Sequence, residues 1–163
     1  MIELYRTQNE RVYEKLKSLL NTDREIKKTE NGKPYIDGFH FSVTHTANTA
    51  LIAIGDNPIG VDAEKITPRK INSILKRLTE RERAEICEDI VRFLKNWVVK
   101  EAYIKMLGGT LAHDLKRLEY FGGELLCDGK KPNCNIFCSS SDDLVYAVCA
   151  QSEIPQDIKI ITV

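Results

Sequence analysis

Apolar residues recur along this chain with two periods, and the switching between them divides it into elements. Val12, Leu16, Leu19 and Leu20 have the spacing of one helical face, and Thr7 with Glu10 has the form of a capping box. A helix running to about Leu20 is predicted. Asn31-Gly32-Lys33-Pro34 and Asp37-Gly38 carry turn chemistry and predict short extended pieces around them. From Phe39 the period becomes two, with Phe39, Phe41 and Val43 on one face and His40, Ser42 and Thr44 on the other, as in a half-buried strand. Residues 50–54 are continuously apolar, Asp56-Asn57-Pro58 breaks the run, and residues 59–64 alternate again, predicting two adjacent strands joined by a tight turn. Thr67-Pro68 opens a charged helical region in which Thr79 and Glu82 form a second capping box. Asp89 is placed to cap a long helix through about Leu107, closed by Gly108-Gly109. That helix is apolar on most of its circumference and is expected to be largely buried. Short strands are predicted at about 118–121, 124–127, 135–139, 144–150 and 157–163, between Gly-Gly, Asp-Gly, Ser-Asp and Pro signals.

Strands and helices in this order make the class α+β. The 163 residues suffice for one domain with a core of its own. Lys plus Arg and Asp plus Glu both number 24, so the overall charge offers no field to hold nucleic acid or an anionic membrane. No apolar run approaches the roughly 20 residues of a membrane span. The first residues carry no basic and apolar export pattern, and five scattered cysteines suit a reducing compartment, so a cytoplasmic location is expected. Cys127, Cys134 and Cys138 fit no common zinc spacing.

Two places carry candidate chemistry. In the segment Ile59-Gly60-Val61-Asp62-Ala63-Glu64 the period of two puts Gly60, Asp62 and Glu64 on one face, the two carboxylates about 7 Å apart at their Cα atoms. A divalent cation between them would make that arrangement favourable, and solvation or pairing with Lys65 is the plain alternative. In the long helix, Glu101 and Lys105 are i,i+4 neighbours inset into apolar surface, with Trp97 one turn earlier and Lys100 adjacent. They read either as an intrahelical ion pair or as groups that meet a magnesium ion carrying phosphates.

Gly32-Lys33-Pro34, Phe41-Ser42-Val43-Thr44-His45-Thr46, the 59–64 segment and Trp97-Val98-Val99-Lys100-Glu101-Ala102-Tyr103-Ile104-Lys105 together resemble the 4′-phosphopantetheinyl transferase family in its larger, single-chain branch. The resemblance implies Mg²⁺ ligation by Asp62, Glu64 and Glu101, with coenzyme A as co-substrate. It implies that Lys33, Thr44 and His45 hold the 3′-phosphate, with His45 contributing most when protonated. Lys105 and Lys100 would neutralise the phosphate under attack. The implied reaction moves the 4′-phosphopantetheinyl group to a serine of an apo acyl or peptidyl carrier protein, with Glu101 as candidate base. The implied fold is a monomer of one domain over residues 1–163, with two pseudo-related halves of about 1–58 and 59–163, each a small antiparallel sheet packed with a helix. Phe137-Cys138-Ser139-Ser140-Ser141 before the run at 144–149 faintly echoes Phe41-Ser42-Val43-Thr44-His45 before that at 51–54.

Lys65, Arg69, Lys70, Lys76, Arg77, Arg81 and Arg83 outnumber Glu80 and Glu82 in their segment, which makes it the expected docking surface for an acidic carrier, or simply a solvated helical face. Only 58 residues precede Ile59, fewer than is usual in that branch, with Arg6 and Arg11 as candidates to replace missing basic groups. The rival reading is a non-catalytic protein that binds coenzyme A or a carrier.

Overall fold

A computed structural model describes residues 1–141 and 143–163. The strands are β1 (Ile2–Gln8), β2 (Lys27–Lys28), β3 (Pro34–Tyr35), β4 (His40–Thr46), β5 (Thr49–Gly55), β6 (Ile59–Lys65), β7 (Leu118–Phe121), β8 (Glu124–Cys127), β9 (Asn135–Ser140), β10 (Leu144–Ala150) and β11 (Ile160–Thr162). The α-helices are α1 (Val12–Leu19), α2 (Asn72–Leu75), α3 (Glu80–Ile86), α4 (Ile90–Leu107) and α5 (Leu111–Asp114). The α+β class is as expected from the sequence, but the sheets do not divide near residue 58 into one antiparallel sheet per half: β11, from the C-terminal half, pairs in parallel with β1 because the chain end returns to that open strand edge.

Two sheets face each other. One has the order β11-β1-β5-β4 and the other β6-β10-β9. Leu4, Leu51 and Ala53 from the first meet Val61, Ala63 and Val148 from the second in a dry interface. Helix α1 covers the outer face of the first sheet through Val12 and Leu16 against Phe41, Ala50 and Ile52. Helix α4 covers the outer face of the second, burying Phe93, Leu94, Val98, Val99 and Ala102 with Val145, Ala147 and Cys149. Each fully buried Val, Leu, Ile or Phe side chain among these contributes about 1.5–3 kcal/mol relative to exposure. The apolar run at 50–54 is thereby explained, because β5 is central in its sheet and covered on both faces. Among the described residues no helix is long and apolar enough to cross a membrane.

Three expectations change. Thr7 and Glu10 form no capping box: Thr7 lies in β1 opposite Ala50, and the chain turns through a 3₁₀ segment at Asn9–Arg11 before α1. The β5 edge completes the hydrogen bonds of residues 2–8 along their whole length, a gain that a local cap cannot match. Second, β6 is not the hydrogen-bonded neighbour of β5. It pairs antiparallel with β10, from Ile59 opposite Ala150 to Lys65 opposite Leu144, so the 56–58 turn crosses between sheets. Third, the predicted polar face of β4 is buried at Ser42 and Thr44. Ser42 Oγ accepts from the Val61 N–H and Thr46 Oγ1 from the Lys65 N–H, both at 3.1 Å. Side-chain hydroxyls thus satisfy the outer edge of β6, where backbone pairing would have merged the sheets.

Candidate active site

The site forms where α4 crosses β6. Asp89 caps the helix by accepting from the Arg92 N–H at 2.9 Å, and Gly108 ends it at φ 71°, a left-handed conformation that glycine adopts without strain. The crossing is unusually close. A Cβ on Gly60 would stand 1.9 Å from the Ala102 carbonyl oxygen and 2.5 Å from the Met106 nitrogen, both backbone atoms. Glycine is therefore required at position 60, and it brings the face carrying Glu101 and Lys105 onto the face carrying Asp62 and Glu64.

Asp62 is the centre of this contact. It is 4% exposed, and its Oδ1 accepts from Lys105 Nζ at 2.6 Å and Thr44 Oγ1 at 2.8 Å. Its Oδ2 is buried with no hydrogen-bond partner among the described residues. Burial raises the Asp62 carboxyl above its ordinary range, against the pull of Lys105 and Thr44. Glu101 is pushed up to about 7, first by burial and then by the negative charge of Asp62, with Glu64 adding to it. The three acids therefore repel one another across one small volume. Glu64 meets Arg69 at 2.9 Å, so two cations, Lys105 and Arg69, already neutralise part of the cluster.

Beside the acids lies a cleft of about 340 Å³ lined by Lys33, Val43, Glu101, Ile104, Lys105 and Leu111 among others. The turn that carries Lys33 is strapped to the end of α4: Asn31 Nδ2 donates to the Gly108 carbonyl at 2.9 Å and Lys33 Nζ to the Lys105 carbonyl at 2.5 Å. Burial lowers the Lys33 pKa. A cation at a helix C-terminus is favourable, so the ammonium rests there while remaining on the cleft wall. His45 lies at the exposed end of β4, with Nδ1 3.2 Å from Asn9 Oδ1. Partial burial and then the charge of Lys105 lower its pKa, which favours the neutral imidazole.

Two expected site residues are directed elsewhere. The Thr44 hydroxyl is buried against Asp62 and is not offered to a phosphate in the cleft. Lys100 does not join the cluster. It is 1% exposed and its ammonium is engaged by Glu82, on the side of α4 away from Asp62. The reason is helical geometry: Lys100 and Glu101 are about 100° apart around the axis, so only one can face β6. Gly60, Arg69 and Glu82 were not singled out for the site by sequence reasoning. For Gly60 the signal was present, since period two placed it on the face of Asp62.

The basic segment is partly consumed by local pairing. Arg69 is held by Glu64, Arg81 pairs with Glu119 at 2.6 Å over the Phe121 ring, and Arg83 donates to the Leu78 carbonyl. Lys70, Lys76 and Arg77 are exposed and make no ion pair among the described residues.

An all-oxygen donor set of three acids with one orphaned carboxylate oxygen fits a hard divalent cation such as Mg²⁺. Among the described residues no group of three or more His, Cys, Asp or Glu side chains stands close enough together to hold a metal ion by itself. A site that shares its metal with substrate phosphates needs no such group.

The sequence profile of the 4′-phosphopantetheinyl transferase superfamily (ACPS) matches residues 58–149, which hold β6, α4 and β10. The chain is 31% identical over 90 residues to the 4′-phosphopantetheinyl transferase gsp of Aneurinibacillus migulanus, covering 51% of this chain and 38% of that protein. It is 28% identical over 159 residues to the 4′-phosphopantetheinyl transferase Sfp of Bacillus subtilis strain 168, covering 86% and 70%. To the 4′-phosphopantetheinyl transferase psf-1 of Bacillus pumilus it is 30% identical over 100 residues, 52% and 40% of the two chains. The chain thus spans well under two thirds of gsp and psf-1. With the profile covering more than half of its residues, including the strand and helix that meet at Gly60, this chain belongs to the 4′-phosphopantetheinyl transferase superfamily.

Proposed function

We propose that this protein transfers the 4′-phosphopantetheinyl group from coenzyme A to a serine of an apo acyl or peptidyl carrier protein, with magnesium as cofactor and 3′,5′-ADP as leaving product. The observation that carries the reading is the convergence of Asp62, Glu101 and Lys105 beside one cleft, with a buried Asp62 oxygen left open. Asp62, Glu64 and Glu101 would hold the metal together with the coenzyme A pyrophosphate. Bound there, it would supply positive charge to the phosphoryl group being transferred.

The chain's own groups do the rest. The serine oxygen attacks the phosphorus that bears pantetheine, and the bond to the second phosphate breaks. Glu101, raised toward neutrality by burial and by Asp62, takes the serine proton. Lys105 stabilises charge on the phosphoryl oxygens once it exchanges one carboxylate contact for a phosphate. Lys33 and His45 bind the 3′-phosphate, His45 gaining its proton as the dianion arrives. The exposed Lys70, Lys76 and Arg77 meet the acidic carrier. Both half-motifs, residues 32–46 and 59–105, lie in one sequence, which supports a monomer, and five free cysteines support a reducing cytoplasm.

The deciding experiment incubates apo carrier proteins with coenzyme A, Mg²⁺ and this protein and measures intact carrier mass. Gain of the phosphopantetheinyl mass on the serine is expected. Binding of coenzyme A without modification of any carrier in a broad panel would establish the non-catalytic reading instead.

A further inference from the structure

Glu82 is an unusual carboxylate. It is 1% exposed, yet four donors converge on it from three elements. Its Oε2 accepts from the Thr79 N–H at 3.0 Å, completing the capping box of α3. Its Oε1 accepts from Asn96 Nδ2 at 2.9 Å and the Tyr120 N–H at 2.8 Å, and pairs with the Lys100 ammonium. A helix cap is satisfied by a solvent-exposed Glu, so capping alone does not explain burying a charge here. Burial opposes ionisation of Glu82, but Lys100, Asn96 and the Tyr120 amide together hold its pKa below the usual carboxylate value.

The location of the pair on α4 gives it a purpose. Asn96 and Lys100 form one ridge of the helix, Ala102 and Met106 touch Gly60 on another, and Glu101 and Lys105 project between them. A helix held at both flanks cannot roll about its axis. The apolar packing of α4 on β10 is non-directional, so on the flank away from Gly60 the polar contacts of Asn96 and Lys100 set the rotation, and a roll of about 20° would displace a glutamate carboxylate by more than about 1 Å.

We propose that Glu82, acting through Lys100, is a positioning residue that fixes the rotation of α4 and so aims Glu101 and Lys105 at the Asp62 cluster. The proposal rests on the transferase reading for its kinetic consequences, whereas its effect on metal binding is independent of turnover. It also assigns Lys100 a role other than phosphate contact.

The test compares the full-length protein with Lys100→Met, which keeps the stem volume and leaves Glu82 three neutral donors, and with the uncharged double variant Glu82→Gln/Lys100→Met. Thermal melts, Mg²⁺ titration by calorimetry in the presence of 3′,5′-ADP, and transfer kinetics are read for each. At least one variant is expected to fold, with Mg²⁺ affinity and kcat each reduced on the order of tenfold and KM for coenzyme A changed much less. A folded variant with wild-type Mg²⁺ affinity and kcat would reduce the pair to a structural contact and overturn the proposal. Failure of both variants to fold would overturn it as well, because the pair would then be a requirement of the fold. If the wild-type protein transfers nothing to any carrier, the transferase reading falls and the Mg²⁺ titration alone decides the positioning role. Absence of Mg²⁺ binding by the wild type would end both.

Discussion

Lys105 Nζ and Asp62 Oδ1 lie 2.6 Å apart although 43 residues separate them, and this ion pair joins α4 to β6 beside the cleft that Lys105 lines. Asp62 is too deeply placed to be solvated, so the lysine supplies the charge that water would otherwise supply. Lys105→Met is expected to lower stability by about 1–3 kcal/mol, from the carboxylate left with Thr44 alone, and to reduce transfer by roughly 10²-fold or more. Adding Asp62→Asn should restore most of the stability and none of the activity. Denaturant titration beside a transfer assay separates the two effects; restored activity in the double variant would remove Lys105 from the chemistry.

The same cluster sets a pH dependence. Glu101 is raised from 4.5 to about 7, chiefly by burial and next by Asp62, and burial raises Asp62 too. With folded values above unfolded ones, the native chain binds more protons in the interval between them, so stability is greatest below the unfolded pKa and falls as pH rises. Metal-free protein is expected to lose melting temperature between about pH 5 and pH 7.5, and Mg²⁺ should recover it at the upper end by binding the ionised native state. Glu101→Gln should flatten the profile over that interval. Identical slopes for variant and wild type in EDTA would show that Glu101 does not titrate against the cluster.

Gly60→Ala places a methyl group on the backbone of Ala102 and Met106, where no flexible side chain can yield. The strand and helix must separate, at about 1–3 kcal/mol by the usual scale of overpacking, and Glu101 moves away from Asp62 as they do. Transfer should fall further than the stability loss explains. A circular dichroism spectrum with native helix content and a kcat reduced on the order of 10²-fold is the expected pair of results.

Charge reversal of Lys76 and Arg77 tests the carrier surface without disturbing internal pairs, since both side chains are exposed, whereas Arg81 is spent on Glu119. Lys76→Glu/Arg77→Glu is expected to raise KM for an acidic carrier roughly tenfold or more at low salt and less at high salt, with KM for coenzyme A unchanged. Unaltered carrier KM at low salt would assign the segment to solvent.

Period-two and helical patterns located most of the elements. The caps at Thr79 and Asp89, the glycine stop at Gly108 and the four strands between Leu118 and Ala150 all stand where local chemistry put them, because each depends on residues a few positions apart. The β1 strand was hidden, its alternation of Ile2 and Leu4 too short to outweigh the capping pattern at Thr7. Pairing partners were equally hidden: nothing near Ile59 in sequence says that β6 joins β10 across 85 residues instead of folding back on β5.

For the site, the sequence alone determined which side chains share a face: Gly60 with Asp62 and Glu64 on a strand, Glu101 with Lys105 on a helix, since backbone periodicity dictates both. Tertiary structure decided which faces meet. It turned Lys100 to Glu82 and the Thr44 hydroxyl to Asp62, and it set Lys33 on the end of α4. Those choices follow from the energetics of burying charge, which depends on what lies across an interface and not on what lies next in the chain.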